Sequence, residues 1–271
     1  MPPGRVVLWV ASIGALALCA RSLLLGPVPQ IVALAAFILY MGIAVAGVLV
    51  PQLEMFGDVI SRGERDLRAV ALTFDDGPSP LTTPRVLDAL RVAGAKATFF
   101  VLGVKAEAHP DVLRAIVEAG HAVGVHGYTH DRLYSLQTPR AIADDIAKTV
   151  AVVERVTSLK PRWFRPPVGQ VSPRTAAGAR RAGLPIVAWS ARALDGLKST
   201  TQERVLSRLV PRLVPGAIVL LHDASENEDF EPASIAALPA LLAALAERGL
   251  ASVTLDELLV EPGPDGAPAA V

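Results

Sequence analysis

Two adjacent carboxylates, Asp75 and Asp76, come directly after an apolar, β-branched run at residues 70–74. Gly77 and Pro78 follow, so the sequence predicts a buried strand that opens into a turn carrying both acids. Neighbouring side chains of an extended chain point to opposite sides, which would let one carboxylate bind a cation while the other moves a proton. A turn with no chemical role is the alternative, because Asp, Gly and Pro are common turn formers.

Other ionisable side chains also follow apolar runs. His126 and His130 come after residues 121–125, and in a helical turn their four-residue spacing would place both imidazoles within reach of one metal ion. The remaining strand ends carry Arg165, Asp195 and His222. A single histidine after an apolar strand is more often a packing residue than a catalyst. The recurrence at successive strand ends therefore favours one shared site.

These residue types together suit the hydrolysis of an amide. A divalent cation would polarise the amide carbonyl and make water more acidic. A carboxylate can take the proton of the water, and an imidazole can protonate the departing amine. A backbone N–H near the site would stabilise the tetrahedral oxyanion.

The elements that must position these side chains alternate along the chain. Strands are expected at residues 69–74, 97–102, 121–125, 185–189, 217–221 and 251–254. Helices are expected at residues 83–93, 110–119, 139–157, 173–183, 201–213 and 232–248. This alternation predicts an α/β fold with a parallel sheet and crossover helices, and a distorted (β/α) barrel of about seven or eight units fits the count better than an open sheet. In such barrels the chemistry lies at the carboxyl ends of the strands, which is where the acids and histidines occur.

The first part of the chain is strongly apolar. Residues 6–20 and 31–50 carry no charge, while Arg21 and a Gly-Pro-Val-Pro turn at residues 26–29 separate them. Because about 20 apolar residues span a bilayer as a helix, residues 1–53 are predicted to form a transmembrane helical hairpin that contacts membrane lipid. The first run could instead be a signal peptide that starts at Arg5. Arg21 in the connection favours a cytoplasmic turn, which would place the following domain outside the cytoplasm.

The rest of the chain divides into a linker at residues 54–68, a catalytic domain at residues 69–260 and a disordered tail at residues 261–271. The formal net charge of zero gives no basic excess, so no nucleic-acid partner is expected. Cys19 is the single cysteine, which excludes an internal disulfide.

The ordered motifs resemble those of a known family. They are Thr-Phe-Asp-Asp-Gly-Pro at residues 73–78, His126-x-x-x-His130, Arg165-x-Pro167-x-Gly169 and Leu220-x-His222. In this order they resemble the polysaccharide deacetylases, the NodB-homology group of carbohydrate esterase family 4. The resemblance covers about residues 68–260, so the membrane segment and the tail lie outside it.

The resemblance implies a role for each matching position. Asp75 would be the general base and His222 the general acid. Arg165 would orient the base, with Asp195 as its neighbour. A divalent metal, most often zinc in the family, would be bound by Asp76, His126 and His130. Substrate contacts are expected from Tyr128, Pro167, Val168, Gly169 and Leu220.

Three positions depart from the family pattern. Gly127 stands where the family usually has a Ser or Thr whose hydroxyl braces the metal-binding loop. Val168 stands where an aromatic residue is common, and Gly196 stands where Trp is frequent. Smaller side chains at the last two positions predict a more open sugar site.

The resemblance therefore implies a metal-dependent hydrolase that removes N-acetyl groups from a peptidoglycan-like or chitin-like glycan of the cell envelope. The two-helix anchor would also suit a deacetylase or deformylase of a lipid-linked sugar. A non-catalytic glycan-binding protein is the third possibility, and the presence of Asp75 and His222 argues against it because binding alone would need neither.

Overall fold

The structure, a computed structural model, describes residues 1–227 and 229–259. The tail predicted at residues 261–271 lies outside the described residues, as does residue 260 at the end of the predicted catalytic domain.

Helices and strands alternate through the described chain. The helices are α1 (Pro3–Leu25), α2 (Gln30–Leu49), α3 (Thr83–Val92), α4 (Gly103–Ala108), α5 (Pro110–Glu118), α6 (Pro139–Thr157), α7 (Pro173–Ala182), α8 (Gln202–Leu209), α9 (Ala233–Glu247) and α10 (Leu255–Leu259). The strands are β1 (Val59–Ile60), β2 (Ala69–Asp75), β3 (Ala97–Val101), β4 (Ala122–Val125), β5 (Ile186–Val187), β6 (Ala191–Arg192), β7 (Ile218–His222) and β8 (Ala251–Ser252). The expected elements are all present within a few residues, while α4, α10, β1 and β6 were not anticipated.

Strand β2 lies at the centre of a parallel sheet with the order β4-β3-β2-β7-β6, and β8 also pairs with β2. Every residue of β2 is buried, and all but Thr73 and Asp75 are apolar, as expected for a central strand covered on both faces. The register places Asp75 opposite His222 on β7 and opposite Phe100 on β3. The carboxyl ends of three adjacent strands therefore meet at one edge of the sheet.

The parallel α/β arrangement is confirmed, whereas regular strands do not close it into a barrel. The main ladder ends at β4 and β6, and β1 pairs with β5 in a separate two-stranded ladder. Phe164 connects the two ladders through single parallel bridges to Val125 and Ile186.

Apolar side chains pack on both faces of the sheet. On one face Phe74 stacks on Phe99 with ring centroids 5.1 Å apart, beneath α3, α5 and α9. On the other face Phe100, Phe164 and Trp189 belong to a second buried cluster. Burying each such side chain contributes about 1.5–3 kcal/mol, so the two clusters stabilise the sheet that carries the site.

Helices α1 and α2 are long and apolar enough to cross a membrane. Their side chains remain largely exposed, Leu16 at 70% for example. The Ser12 hydroxyl lies 3.2 Å from the Tyr40 hydroxyl and links the two helices. The segment expected to be a linker contains β1, which pairs in parallel with β5, so this segment packs on the domain.

Candidate metal and acid–base site

The two aspartates at the end of β2 face the same centre. Asp76 has a left-handed backbone with φ 73°, a conformation that Asp tolerates better than most residues. The extended backbone expected from the sequence, with the side chains on opposite sides, is therefore wrong at Asp76. His126 Nε2 lies 3.5 Å from Asp76 Oδ1 and 3.8 Å from Asp75 Oδ2.

The two histidines converge on Asp76 from a loop. The helical turn expected between them is wrong, because residues 126–130 are irregular and both Gly127 and His130 have positive φ, 83° and 59°. His130 Nε2 lies 3.4 Å from Asp76 Oδ1. A sharply bent loop brings the two rings together, with centroids 5.2 Å apart.

Backbone groups on both sides fix this loop. The amides of Gly103 and Val104, at the start of α4, each donate a 3.0 Å hydrogen bond to the carbonyls of Gly127 and Tyr128. Asp145 on α6 accepts a 3.1 Å hydrogen bond from the Tyr128 amide. The carboxylate of Asp145 thus holds the loop beside Gly127, where the family usually has a Ser or Thr hydroxyl.

Each ligand histidine has a second contact. His126 Nδ1 donates to the Arg165 carbonyl at 2.8 Å, which leaves Nε2 as the nitrogen that faces Asp76. Burial lowers the pKa of His126 although Asp75 and Asp76 oppose it, so the neutral imidazole needed for cation binding is favoured. His130 Nδ1 lies 3.4 Å from the Glu226 carboxylate.

The residues fit a divalent cation. One ligand atom from each of Asp76, His126 and His130 lies within 4.8 Å of the others. The Oδ1 atom of Asp76 is buried and has no hydrogen-bond partner in the described chain, an arrangement that costs free energy unless a cation satisfies it. One carboxylate oxygen and two imidazole nitrogens are a donor set typical of zinc.

Arg165 holds Asp75 from beneath the site. It is fully buried and donates to Asp75 Oδ1 at 2.7 Å and to Thr73 Oγ1 at 2.8 Å. The carbonyls of Val187 and Ala188 accept its other two hydrogen bonds. Burial lowers the pKa of the guanidinium, and Asp75 opposes that change. The predicted contact between Arg165 and the base is therefore present.

Asp195 holds His222 rather than Arg165. Its carboxylate accepts from the backbone amide of His222 at 2.8 Å and lies 3.2 Å from the ring Nδ1. The placement expected beside Arg165 is wrong, because the pairing of β6 with β7 brings Asp195 to the end of β7. Burial lowers the pKa of His222, but Asp195 and the more distant Asp76 and Asp75 outweigh it and raise the pKa to about 10.

A cleft of about 650 Å³ opens over these groups. Of the expected substrate contacts, Val168, Gly169 and Leu220 line it. Tyr128 and Pro167 are not among its lining residues. The Tyr128 hydroxyl instead donates to Glu107 at 2.7 Å, so the structure gives its expected substrate contact no support.

The comparisons with known proteins agree with the motifs. The profile of the family described as polysaccharide deacetylase matches residues 62–187. A peptidoglycan-N-acetylglucosamine deacetylase of Bacillus cereus is 33% identical over 215 residues, which cover 77% of this chain and 96% of that protein. The chain belongs to the polysaccharide deacetylase family.

Two further relatives show how far this family likeness extends. The peptidoglycan-N-acetylglucosamine deacetylase PgdA of Listeria monocytogenes is 37% identical over 194 residues, 72% of this chain but only 39% of that protein. A crystal structure of a peptidoglycan N-acetylglucosamine deacetylase with a bound N-hydroxybenzamide matches with a TM-score of 0.68 and 30% identity, covering 74% of this chain and 92% of that one.

The other two departures from the family pattern, Gly196 and Val168, leave the cleft open. At Gly196 a Cβ atom would lie 3.1 Å from His222 Cε1, so the absence of a side chain leaves the imidazole accessible from the cleft. Gly169 has φ 70°, and a Cβ there would lie 2.3 Å from the Trp189 ring. Val168 is 52% exposed at the cleft rim, which makes the wall lower than an aromatic side chain would.

Several residues that position the site of this polysaccharide deacetylase were not predicted from the sequence. Glu226 lies four residues after His222, a position that could have indicated the site. Asp145 carried no local signal, because it lies inside α6. Thr73 lies in the motif at residues 73–78, but its hydrogen bond from Arg165 was not indicated by the sequence. Asp223 directly follows His222, but its carboxylate accepts a hydrogen bond from the Thr83 hydroxyl.

Proposed function

We propose that this protein is a metal-dependent hydrolase that removes N-acetyl groups from an N-acetylated glycan of the cell envelope. One observation carries the proposal. Asp75, held by Arg165, and His222, held by Asp195, lie side by side at the ends of β2 and β7 and beside the cation-binding residues. A proton acceptor and a proton donor around one cation site are what amide hydrolysis needs.

The residues of the chain divide the reaction between them. Asp75 accepts the proton of the attacking water as its oxygen adds to the acetyl carbon, and Arg165 keeps that carboxylate in place. His222 then protonates the amine nitrogen as the carbon–nitrogen bond breaks, giving acetate and a free amine. Asp195 occupies His222 Nδ1, so Nε2 is the nitrogen left to donate.

Asp76, His126 and His130 would hold the cation, which we propose to be zinc. When bound, it would supply Lewis acidity that polarises the acetyl carbonyl and lowers the pKa of the water. Val168 and Gly169 line the cleft, where a backbone N–H would stabilise the oxyanion.

We also propose a barrel-like closure of the sheet and a membrane location. The bridges of Phe164 to Val125 and Ile186 extend the parallel arc from β6 to β1, which supports a distorted (β/α) barrel. The apolar helices α1 and α2 support a membrane anchor, with the catalytic domain on the extracytoplasmic side where envelope glycans lie.

The names of two relatives support peptidoglycan as the substrate. Both are named as peptidoglycan-N-acetylglucosamine deacetylases. A lipid-linked sugar is the second candidate, because the cleft contacts the segment that follows α2. A glycan-binding protein without catalysis would not require the paired supports of Asp75 and His222.

Acetate release by the full chain in detergent, with zinc present, tests the proposal. N-Acetylglucosamine oligomers and peptidoglycan fragments serve as substrates, and Asp75→Asn runs in parallel. We expect release by the wild type and a loss of about 100-fold or more in the variant, the usual contribution of a general base. No release from any substrate by a folded, zinc-loaded protein would refute it.

A further inference from the structure

The wall of the cleft is attached to the end of helix α2. The amide of Val171, just after the cleft-lining residues 168–170, donates to the carbonyl of Val48 on α2 at 3.0 Å. The Gln52 side chain donates to the carbonyl of Trp189, another cleft-lining residue, at 2.8 Å. The cleft therefore opens beside the end of a helix that is apolar on all sides.

The connection between helix and domain is packed and short. Gly47 on α2 approaches Met55 so closely that a Cβ atom would lie 2.3 Å from its sulfur. Met55 is buried, and Arg5 on α1 donates to the carbonyl of Glu54 at 2.9 Å. Flexible tethers consist of solvated residues that make no such contacts. These contacts hold the cleft at a fixed position relative to α1 and α2.

The same wall carries an unpaired cation. Arg192 is exposed, lines the cleft and lies 5.9 Å from the Trp189 ring. Within the part of the chain that the structure describes, its guanidinium has no hydrogen bond and no ion pair. The other exposed cations of the cleft are each paired at 2.7 Å, Arg132 with Glu226 and Lys198 with Asp229. A guanidinium without an acidic partner is suited to bind a phosphate.

Exposed apolar side chains line the same cleft as this cation. Val168, Leu194 and Leu197 line the cleft and are 52%, 38% and 54% exposed. Val168 and Leu194 both have φ 59°, a conformation that costs free energy for residues with branched side chains. A cleft that holds both a cation and exposed apolar groups matches a ligand that joins an anion to a hydrocarbon chain.

We propose that the substrate is an N-acylated sugar joined through a phosphate to a membrane lipid, and that Arg192 binds this phosphate. The inference rests on the proposed function and adds the class of substrate and its location. The packed connection to α2 would keep the cleft at the bilayer surface, where such a sugar is found.

Four substrates separate the contributions of phosphate and lipid. They are a prenyl phosphate ester of N-acetylglucosamine, a prenyl glycoside without phosphate, N-acetylglucosamine 1-phosphate and a methyl N-acetylglucosaminide. The full chain is reconstituted with zinc in phosphatidylcholine vesicles, whose headgroups carry no net charge, and kcat/KM is measured from acetate release. We expect the prenyl phosphate ester to exceed the prenyl glycoside by about tenfold, since a hydrogen bond to a charged group contributes at least that much. It should also exceed the 1-phosphate, because its lipid keeps the sugar at the bilayer surface beside the cleft.

Variants test the role of Arg192. In Arg192→Gln the preference for the prenyl phosphate ester over the prenyl glycoside should disappear, while Arg192→Lys should keep part of it. Arg140→Gln is the control, because Arg140 is exposed on α6 and does not line the cleft, and it should keep the full preference. Insertion of Gly-Ser-Gly-Ser between Val50 and Pro51 should lower turnover of the lipid-linked substrates relative to the soluble ones.

The outcomes are distinct. Equal kcat/KM for the two prenyl substrates, or an unchanged preference in Arg192→Gln, would overturn phosphate binding by Arg192. The membrane location would be overturned if N-acetylglucosamine 1-phosphate had the same kcat/KM as the prenyl phosphate ester. Faster turnover of peptidoglycan fragments than of the prenyl phosphate ester would also overturn it. If all four substrates and the fragments fail and the wild type equals Asp75→Asn, the proposed function itself fails.

Discussion

His126 donates its Nδ1–H to the backbone carbonyl of Arg165 at 2.8 Å, while the guanidinium of Arg165 donates to Asp75 at 2.7 Å. One buried residue therefore orients both a candidate metal ligand and the candidate base. Its position is set by Phe164, which bridges Val125 and Ile186. A shift of this segment would disturb cation binding and proton transfer together.

Replacing Arg165 with glutamine should destabilise the protein strongly. The variant leaves the buried carboxylate of Asp75 without its cationic partner, a loss of about 3–5 kcal/mol in the free energy of unfolding. Urea unfolding of the zinc-free protein measures it. Arg162→Gln is the control, because Arg162 forms an exposed ion pair with Asp256 at 3.2 Å, worth about 0–1 kcal/mol. Similar losses in both variants would contradict the role of Arg165.

Removing a ligand histidine should weaken zinc binding specifically. In the wild type, zinc at about 100 times its Kd should raise the free energy of unfolding by about 2.7 kcal/mol. His126→Ala should lose most of this gain, whereas His109→Ala, which alters a half-buried histidine at the start of α5, should retain it. Thermal unfolding with and without zinc, together with chelator competition, measures the effect. Unchanged zinc affinity in His126→Ala would show that the cation binds elsewhere.

The pair of His222 and Asp195 should make stability depend on pH. The pKa of His222 is raised to about 10 in the folded protein, against about 6.5 for an unfolded histidine. Because the folded state binds the proton more tightly, this stabilisation is complete below about pH 6.5, declines as the pH rises and is lost above about 10.

Asp195→Asn tests this dependence in the zinc-free protein. The variant removes the main group that raises the pKa of His222, so the loss in the free energy of unfolding should be larger at pH 7 than at pH 10. Urea unfolding at the two pH values measures the difference, and NMR titration of His222 should give a lower pKa in the variant. A loss that is the same at both pH values would mean that Asp195 acts only through the hydrogen bond from the His222 amide.

Adding a side chain to Gly127 should disturb the metal-binding loop. Gly127 has φ 83°, and a Cβ atom would lie 3.1 Å from Pro167 and 3.3 Å from Asp145. Gly183→Ala is the control, because Gly183 has φ 73° but open space around it. This variant therefore measures only the cost of a side chain at positive φ, about 1 kcal/mol.

We expect Gly127→Ala to cost more stability than Gly183→Ala and also to weaken zinc binding, since the same loop carries His126 and His130. Urea unfolding and chelator competition on both variants measure the two effects. Equal zinc affinity in the two variants would argue that the loop tolerates the displacement.

Some features of the protein follow from the sequence by itself. The apolar run that ends at Asp75 and Asp76 identifies both the central strand and its carboxyl end, because burial and strand ends leave local patterns. The apolar helices α1 and α2 are equally local, since their length and composition are sufficient to predict them. The ordered motifs also identified the family, and the triad of Asp76, His126 and His130 does come together.

Other features were decided only by the tertiary structure. Asp195 contacts His222 through the register of β6 and β7, and nothing near Asp195 in the sequence indicates that partner. The bent loop of His126 and His130 depends on Asp145 and on the start of α4, and the attachment of the cleft to the end of α2 depends on Gln52, which bonds to Trp189. The physical reason is the same in each case. Burial and periodicity are properties of one segment, whereas hydrogen-bond partners across the fold are fixed by how separate segments pack.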